Sequence, residues 1–314
     1  MPNRLTNGII ELLNKGDKLD EKLILSRERE LINAYRKSLK NIRFQISEMY
    51  RKYGDKVTFE YMTTYNRLTN LEQSIAKELK ELTRTSIKTI KSSITNGYEQ
   101  TYNYTAFAAE RTLQLKMAFG EVPKSTLEAA IFNPMDRITW IERQTDNGNV
   151  LLKQLRQEIA QGLIEGKGYA KTAKAVTERM NVGITQAKRV VWTETHRAQQ
   201  AARSAGLDRT LQFARDEGIE ARKHWNATLD SRTRPNHGAM ESVEPNEDGL
   251  FLFTTKSGGQ ILVDNPGETG IDSINCRCSL SMRFEDFPPK TRRRTEDKKV
   301  IPYQTYNEWA EARK

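Results

Sequence analysis

The chain has 314 residues, of which 37% are hydrophobic and 29% charged, and 51 Lys and Arg against 41 Asp and Glu give a formal net charge of +10. Its 10 Phe, 11 Tyr and 4 Trp can build a core, which excludes a disordered chain. The apolar runs are too short for a membrane helix, and two Cys exclude a small disulfide-stapled secreted domain. We expect no signal peptide and a reducing cytoplasm as the place of synthesis.

The basic residues are unevenly distributed along the chain. Residues 1–100 carry 19 basic and 13 acidic residues, residues 151–200 carry 9 and 4, and residues 201–314 carry 18 of each. A surplus of this size suits contact with a polyanion such as DNA, and it also suits a well-solvated helical surface. Charge alone favours the second interpretation, because dedicated DNA-binding domains usually have a denser basic stripe.

Residues 1–120 are predicted to form a helical arm. Over residues 21–53 apolar side chains recur every three or four positions, which indicates one amphipathic helix ending at Gly54-Asp55. A second stripe runs over residues 65–94 and is closed by Asn96-Gly97, so the two helices are expected to form an antiparallel hairpin. A third helix is predicted over residues 98–119.

Residues 121–216 are predicted to form a helical middle region of shorter segments. Helical spacing indicates helices over residues 124–132, 148–166, 168–181 and 184–205, the last stopped by Gly206 and followed by a further helix to about Asp216.

The pattern changes after Glu217, where the periodicity shifts towards two. Strands are predicted over residues 221–228, 249–254, 259–264 and 274–284, which gives a small β-rich domain over residues 217–286. Residues 287–314 are predicted to be an exposed basic linker and a short helix that docks through Trp309. The fold class is therefore α+β: a long helical hairpin or bundle, a helical segment, and a small mixed domain with a Cys-x-Cys strand.

The densest group of chemically versatile residues lies in the small domain. Cys276 and Cys278, two apart in a predicted strand, point to the same face and could form two legs of a metal clamp. His237 is the candidate third ligand, with Asp230 or His224 as the fourth, and zinc accepts such a set. The alternative stays open: both cysteines are small buried hydrophobic residues, and the His and Asp cap turns.

The same region also allows a catalytic interpretation. Asp230 and His237, together with Glu194 or His196, would make a hydrolase or nuclease centre. No nucleophile elbow, phosphate-binding loop, dinucleotide fingerprint or zinc-protease motif is present, so we expect no enzyme activity. In the structural interpretation Arg232 or Arg234 pairs with Asp230 or Glu194, Glu194 forms an ion pair, and Trp225 anchors the core.

Four motifs occur in a characteristic order: "TETHRAQQAARSAG", "KHWNATLDSRTRPNHGAM", a hairpin with "NPG", and "INCRC". In this order the sequence resembles the phage head morphogenesis family, the minor head proteins or phage Mu protein F-like proteins, over about residues 150–282. The residues that carry the resemblance are Glu194, Trp225, Asp230, Arg232, Thr233, Arg234, His237, Asn275, Cys276, Arg277 and Cys278.

The resemblance implies a minor capsid protein of a tailed phage, made in the bacterial cytoplasm and located inside the capsid. It implies a role in procapsid assembly, with the portal protein, the major capsid protein or both as partners, and no membrane. Contact with packaged double-stranded DNA and ejection with the genome are further implications. The Cys/His cluster would then be a fold staple, with or without zinc. The alternatives are a non-specific DNA-binding protein that protects or escorts the genome, and a metal-dependent hydrolase or nuclease.

Overall fold

The computed structural model describes residues 2–54, 57–117, 119–135, 137–284, 290–294 and 299–312. Within them the helices are α1 (Pro2–Tyr53), α2 (Phe59–Thr63), α3 (Arg67–Leu113), α4 (Lys124–Phe132), α5 (Trp140–Ile164), α6 (Tyr169–Asp216), α7 (Pro235–Ala239) and α8 (Tyr306–Glu311). The strands are β1 (Ala221–Asn226), β2 (Phe251–Thr254), β3 (Gln260–Val263), β4 (Ser279–Phe284), β5 (Thr291–Arg293) and β6 (Val300–Pro302). The α+β prediction is confirmed. None of the helices in these ranges has the length and apolar character needed to cross a bilayer.

The chain folds into two compact units, each assembled from separate stretches of sequence. The first contains Met1–Ile24, Ser93–Asp136 and Thr193–Lys314, and the second contains Leu25–Ser92 and Arg137–Trp192. All six strands belong to the first unit, and the second is helical. The four sequence ranges proposed above as domains stay a prediction.

The predicted antiparallel hairpin is formed by α1 and α3. In the first unit the Gln100 amide donates to Asp20 at 2.9 Å, and in the second the Asn41 amide donates to Glu78 at 3.2 Å. As the chain advances along α1 its partners recede along α3, which is the order of an antiparallel pair. Both helices are longer than predicted, since α1 already begins at Pro2.

The predicted helix breaks at Asn96-Gly97 and Gly206 are wrong, because α3 and α6 continue through both positions. A Cβ atom at Gly97 would lie 2.9 Å from Thr195 Cγ2, and one at Gly206 would lie 2.8 Å from Thr105 Cγ2. These glycines therefore allow α3 and α6 to approach each other closely, and they do not end a helix.

Two antiparallel pairs of strands form the core of the first unit. Strand β1 pairs with β4, with Trp225 opposite Leu280, and β2 pairs with β3 in a hairpin. Strand β2 alternates buried and exposed residues, as the period of two predicts, whereas β1 and β4 are each buried over three consecutive residues. The main core cluster includes Trp225, Phe251, Phe253, Leu280, Met282 and Phe284.

The C-terminal segment is more structured than the predicted linker. Strands β5 and β6 pair in a small antiparallel hairpin inside the range predicted as exposed. Residues 287–289 and 295–298 of that prediction lie outside the described residues. Helix α8 confirms the predicted final helix, and Trp309 is buried as expected.

Candidate metal centre

Three side chains meet in the core of the first unit. The Nδ1 atom of His237 lies 3.5 Å from Cys276 Sγ and 3.7 Å from Cys278 Sγ. The ligand-capable atoms of the three residues all lie within 4.8 Å of one another, and each residue is at most 3% exposed. Both cysteines are free thiols. Histidine nitrogen and cysteine sulfur are the donors that a structural zinc site uses.

The backbone positions these donors from two directions. His237 lies in the short helix α7, which begins with Pro235. The cysteines lie just before β4, so the predicted strand 274–284 begins later than expected, at Ser279. Asn275 has a left-handed backbone (φ 55°), and its N–H donates to Thr193 Oγ1 on α6 at 3.2 Å. Asn tolerates this conformation better than most residues, so it turns the chain sharply into the Cys-x-Cys segment.

Aromatic rings enclose the cluster. The His237 ring lies 5.1 Å from the Phe253 ring and 6.3 Å from the Trp225 ring, both edge-on. Trp225 also stacks on Phe253 and is completely buried, which agrees with its predicted role as core anchor. The Nε2 atom of His237 is buried and has no hydrogen-bond partner among the described residues. Ring packing thus holds this imidazole in place.

The pKa values of the two thiols are shifted in opposite directions. A hydrogen bond from Cys276 and the neighbouring His237 lower the pKa of Cys278, while the same hydrogen bond and burial raise the pKa of Cys276. The backbone N–H of Cys278 also points at Cys276 Sγ at 3.4 Å. Cys278 therefore gives up its proton more readily than Cys276.

Asp230, the predicted fourth ligand, lies outside this group. Both of its oxygens accept from the Arg277 guanidinium in a two-pronged ion pair, and Oδ1 also accepts from the Arg232 backbone N–H at 2.9 Å. The Thr233 hydroxyl adds a contact at 3.3 Å. Hydrogen bonds and the Arg277 charge outweigh burial and lower the pKa of Asp230. Asp230 thus fixes the 228–233 loop to the Cys-x-Cys segment.

The two neighbouring arginines have different roles. The Arg232 side chain is 77% exposed and its guanidinium lies 3.8 Å from Asp230. Arg234 donates to the backbone carbonyls of Asp272 and Ile274. The predicted pairing of Arg232 with Asp230 is thus loose, and Arg234 supports the backbone ahead of the cysteines.

Glu194 forms the predicted structural ion pair with a residue of its own helix. Arg197 donates to Glu194 at 2.7 Å and to the Gly267 carbonyl at 3.1 Å. A Cβ atom at Gly267 would lie 2.9 Å from Arg197 Cα, so the glycine of the NPG turn lets that turn rest on α6. Arg197, paired with Glu194, therefore joins α6 to the β3–β4 connection.

The other two histidines do not contribute donors to the cluster. His224 projects to the opposite side of β1 from Trp225, where its Nε2 lies 2.6 Å from the Arg283 guanidinium. Burial and Arg283 hold the pKa of His224 well below its usual range. Burial lowers the pKa of His196 to about 4, against the opposing effect of Cys278. Both imidazoles are therefore neutral near pH 7.

Two buried cationic side chains around the site were not identified from the sequence. Arg203 is 1% exposed and donates to Asp17 at 2.7 Å and to the Leu280 carbonyl at 3.2 Å. Lys223 is equally buried and binds Asp208 and Asp264. Alternation along β1 places Lys223 on the same face as the buried Trp225, and its distant acidic partners compensate its charge there.

The arrangement is suited to holding a soft cation and less suited to hydrolysis. The carboxylates of the predicted catalytic set are engaged, Asp230 by Arg277 and Glu194 by Arg197. A general base needs a free lone pair within reach of a substrate proton, and both groups are buried. The three donors His237, Cys276 and Cys278 are the ones that the structure brings together.

Comparison with known proteins finds similarity over this region. Residues 153–281, which contain the whole cluster, match the family described as Phage Mu protein F like protein. The chain is 28% identical over 308 residues to the minor head protein GP7 of Bacillus phage SPP1, covering 95% of this chain and 96% of that protein. It is 25% identical over 284 residues to the NAD(+)–arginine ADP-ribosyltransferase EFV of Enterococcus faecalis (strain ATCC 700802 / V583). That match covers 90% of this chain but 56% of the transferase. No solved structure matches the chain significantly.

Proposed function

We propose that this chain, whose residues 153–281 belong to the phage Mu protein F-like family, is a minor head protein built into the particle of a tailed phage. The resemblance found in the sequence is confirmed by that match. The observation that carries the proposal is the near end-to-end similarity to a minor head protein, 95% of one chain against 96% of the other. Both units, and not residues 153–281 alone, therefore have a counterpart in that relative.

The proposed role is in procapsid assembly, with the portal protein as the principal partner. Apolar side chains that stay exposed after folding are candidate contacts for an assembly partner, and the second unit has several. Its helices expose several large apolar side chains, namely Phe44, Val150, Ile164 and Val182, each at least 48% exposed. We expect the portal to co-purify with the full chain when the two are co-expressed.

A pair of variants tests the portal contact. Phe44→Ser and Ile164→Ser replace the two most exposed of these side chains, at 65% and 59%, and should weaken recovery of the portal. The control is Leu262→Ser, which changes a side chain of the first unit that is 58% exposed. Equal portal recovery by all three variants would remove the second unit as the portal contact.

A second contact, with packaged DNA, is supported by how charge divides between the units. The second unit holds 25 Lys and Arg against 13 Asp and Glu, a net +12, whereas the first holds 26 against 28, a net −2. The whole positive excess therefore belongs to one unit. Neutralised phosphates release counterions, so such a surface binds DNA without regard to sequence.

Salt dependence tests the DNA contact. The logarithm of the affinity for a duplex should fall linearly with the logarithm of salt, with a slope of about −0.9 for each phosphate contacted. Reversing the exposed Arg36, Lys40 and Arg43 of α1 to Glu should weaken binding and flatten the slope. A matched reversal of the exposed Lys18, Lys116 and Lys256 in the first unit should change neither. If the unmodified chain bound DNA weakly and with an affinity that did not depend on salt, DNA would be excluded as a partner.

The transferase relative raises an enzymatic alternative, which we do not favour. This chain spans 56% of that protein's length, and the shared part is the one it also shares with the minor head protein. We expect no consumption of NAD⁺ in the presence of an arginine acceptor. Turnover that scales with the concentration of this chain would overturn the non-enzymatic assignment.

A further inference from the structure

We propose that His237, Cys276 and Cys278 bind a zinc ion that staples the loop after β1 to the segment before β4. The proposal concerns a site buried in the first unit and is independent of the assembly role. The sequence left two interpretations of the cysteines open, small hydrophobic residues or metal ligands. Three features of the structure favour the second.

The first feature is the spacing of the donor atoms. Zinc binds sulfur at about 2.3 Å and imidazole nitrogen at about 2.0 Å, so a tetrahedral site places N and S atoms about 3.6 Å apart. The two observed Nδ1···Sγ separations are 3.5 and 3.7 Å. The His237 nitrogen therefore already lies at the separation from each sulfur that the ion requires.

The second feature is the presence of a polar side chain, His237, in an otherwise apolar environment. His237 is 1% exposed and surrounded by Trp225 and Phe253. The atoms facing its Nδ1 are sulfurs, which are weak hydrogen-bonding groups, and its Nε2 has no partner among the described residues. Within the part of the chain that the structure describes, this imidazole therefore has only weak sulfur hydrogen bonds, and coordination through Nδ1 would give it a stronger partner.

The third feature is the backbone around the sulfurs. The Cys278 N–H points at Cys276 Sγ at 3.4 Å, and Asn275 makes the left-handed turn that brings both thiols to one side. Amide groups directed at sulfur stabilise the thiolates that zinc needs, and outer contacts of this kind orient the ligands of metal sites. Zinc binding would convert both thiols to thiolates and release their protons to solvent.

A bound zinc ion would join two segments that are distant in sequence. The cluster joins positions 39 and 41 residues apart in sequence, and the ion pair between Asp230 and Arg277 joins the same two segments. Short strands and a long β1–β2 connection give this region little regular hydrogen bonding of its own. A metal that binds only the folded chain adds its binding free energy to folding.

The test is metal analysis of the reduced, full-length protein. Elemental analysis should find about one zinc per chain, and Cys276→Ser and Cys278→Ser should each lose most of it. The matched control is His224→Gln, which removes a buried imidazole from the other side of β1 and should keep the zinc. Retention of zinc by both cysteine variants would overturn the assignment.

A second measurement needs no variant and therefore does not depend on a variant's folding. Cobalt(II) added to the chelator-stripped wild-type protein should give the intense sulfur-to-metal absorption of a tetrahedral site with two thiolates, and zinc should abolish it. Chelation should also lower the thermal midpoint of unfolding, and zinc should restore it. A reduced protein that contains no zinc and gives no such cobalt spectrum would overturn the proposal.

Discussion

Arg197 joins three parts of the chain through one guanidinium group. It donates to Glu194 on its own helix, to the Gly267 carbonyl in the NPG turn, and to the carbonyls of Asn133 and Pro134 after α4. Only a planar group with several fixed donors can reach all of these acceptors at once. The "TETHR" motif therefore contributes an anchor for two loops. The sequence alone predicted an ion pair for Glu194, with Arg232 or Arg234 as the partner, and did not identify Arg197.

Replacing Arg197 with Lys should lower the free energy of unfolding by about 2 to 4 kcal/mol, because Lys keeps the charge but loses most of the carbonyl contacts. Denaturant unfolding monitored by circular dichroism measures the change. The control is Arg189→Lys at an exposed position of α6, which should change stability by less than about 0.5 kcal/mol. Equal stability of the two variants would show that the carbonyl contacts do not hold the loops.

Asp20 should make stability depend on pH in the first unit. Burial raises the pKa of Asp20 from 3.8 to about 6, with Asp17 adding to the rise and Arg203 and the Gln100 amide opposing it. Since the folded chain holds this proton more tightly than the unfolded chain, the stabilisation is complete below pH 3.8 and is lost as pH rises through 6.

The Asp20→Asn variant isolates this contribution. Relative to the variant, the unmodified chain should lose about 2 to 3 kcal/mol of unfolding free energy between pH 4 and 7. Urea unfolding across that range gives the difference, and Asp248→Asn at an exposed position is the control. A pH-independent difference between Asp20→Asn and wild type would contradict the shifted pKa.

At the scale of elements, strands β1 to β4 were predictable from the sequence, whereas β5, β6 and the helix ends were not. An alternation of buried and exposed residues is a local property, so β1, β2 and β3 fall within a few residues of their predicted positions. Glycine has two opposite uses in a helix, as a stop and as a close-contact point. Only the position of Thr195 and Thr105 on the neighbouring helix shows that Gly97 and Gly206 serve the second.

Gly97→Ala should therefore destabilise the protein, although Ala favours an isolated helix by about 1 kcal/mol. The new methyl group would lie 2.9 Å from Thr195 Cγ2 and 3.3 Å from Gln199 Cγ, and the expected net loss is about 1 to 2 kcal/mol. Thr195→Ser removes the clashing methyl and retains the hydroxyl that donates to Ser93. The double variant should recover much of the loss in thermal unfolding. A stabilised Gly97→Ala single variant would contradict the close packing of α3 and α6.

At the scale of the whole molecule, the division of the chain could not be found from sequence. Helices α1, α3 and α6 each contribute residues to both units, so no linker, composition change or charge run marks a boundary. Charge was visible along the sequence as a surplus in the first two thirds. The net charge of +12 on the second unit became visible only once the fold showed which separate segments form that unit.

The candidate site, too, was only partly predictable from the sequence. The sequence identified all three donors, since Cys276, Cys278 and His237 are unusual residues in a chain with two Cys and three His. It also proposed Asp230 as a ligand, because spacing cannot reveal that Arg277 engages both carboxylate oxygens. Local patterns thus identify which residues are chemically capable, and the partner of each depends on contacts distant in sequence.

The measurement that tests the assignment most directly is a count of this chain in purified phage particles. Quantitative mass spectrometry would compare its abundance with those of the portal and the major capsid protein. A minor head protein predicts a few to a few tens of copies in each mature particle, far fewer than the major capsid protein. Absence from mature particles, with the chain present only in procapsids or free in the lysate, would contradict it.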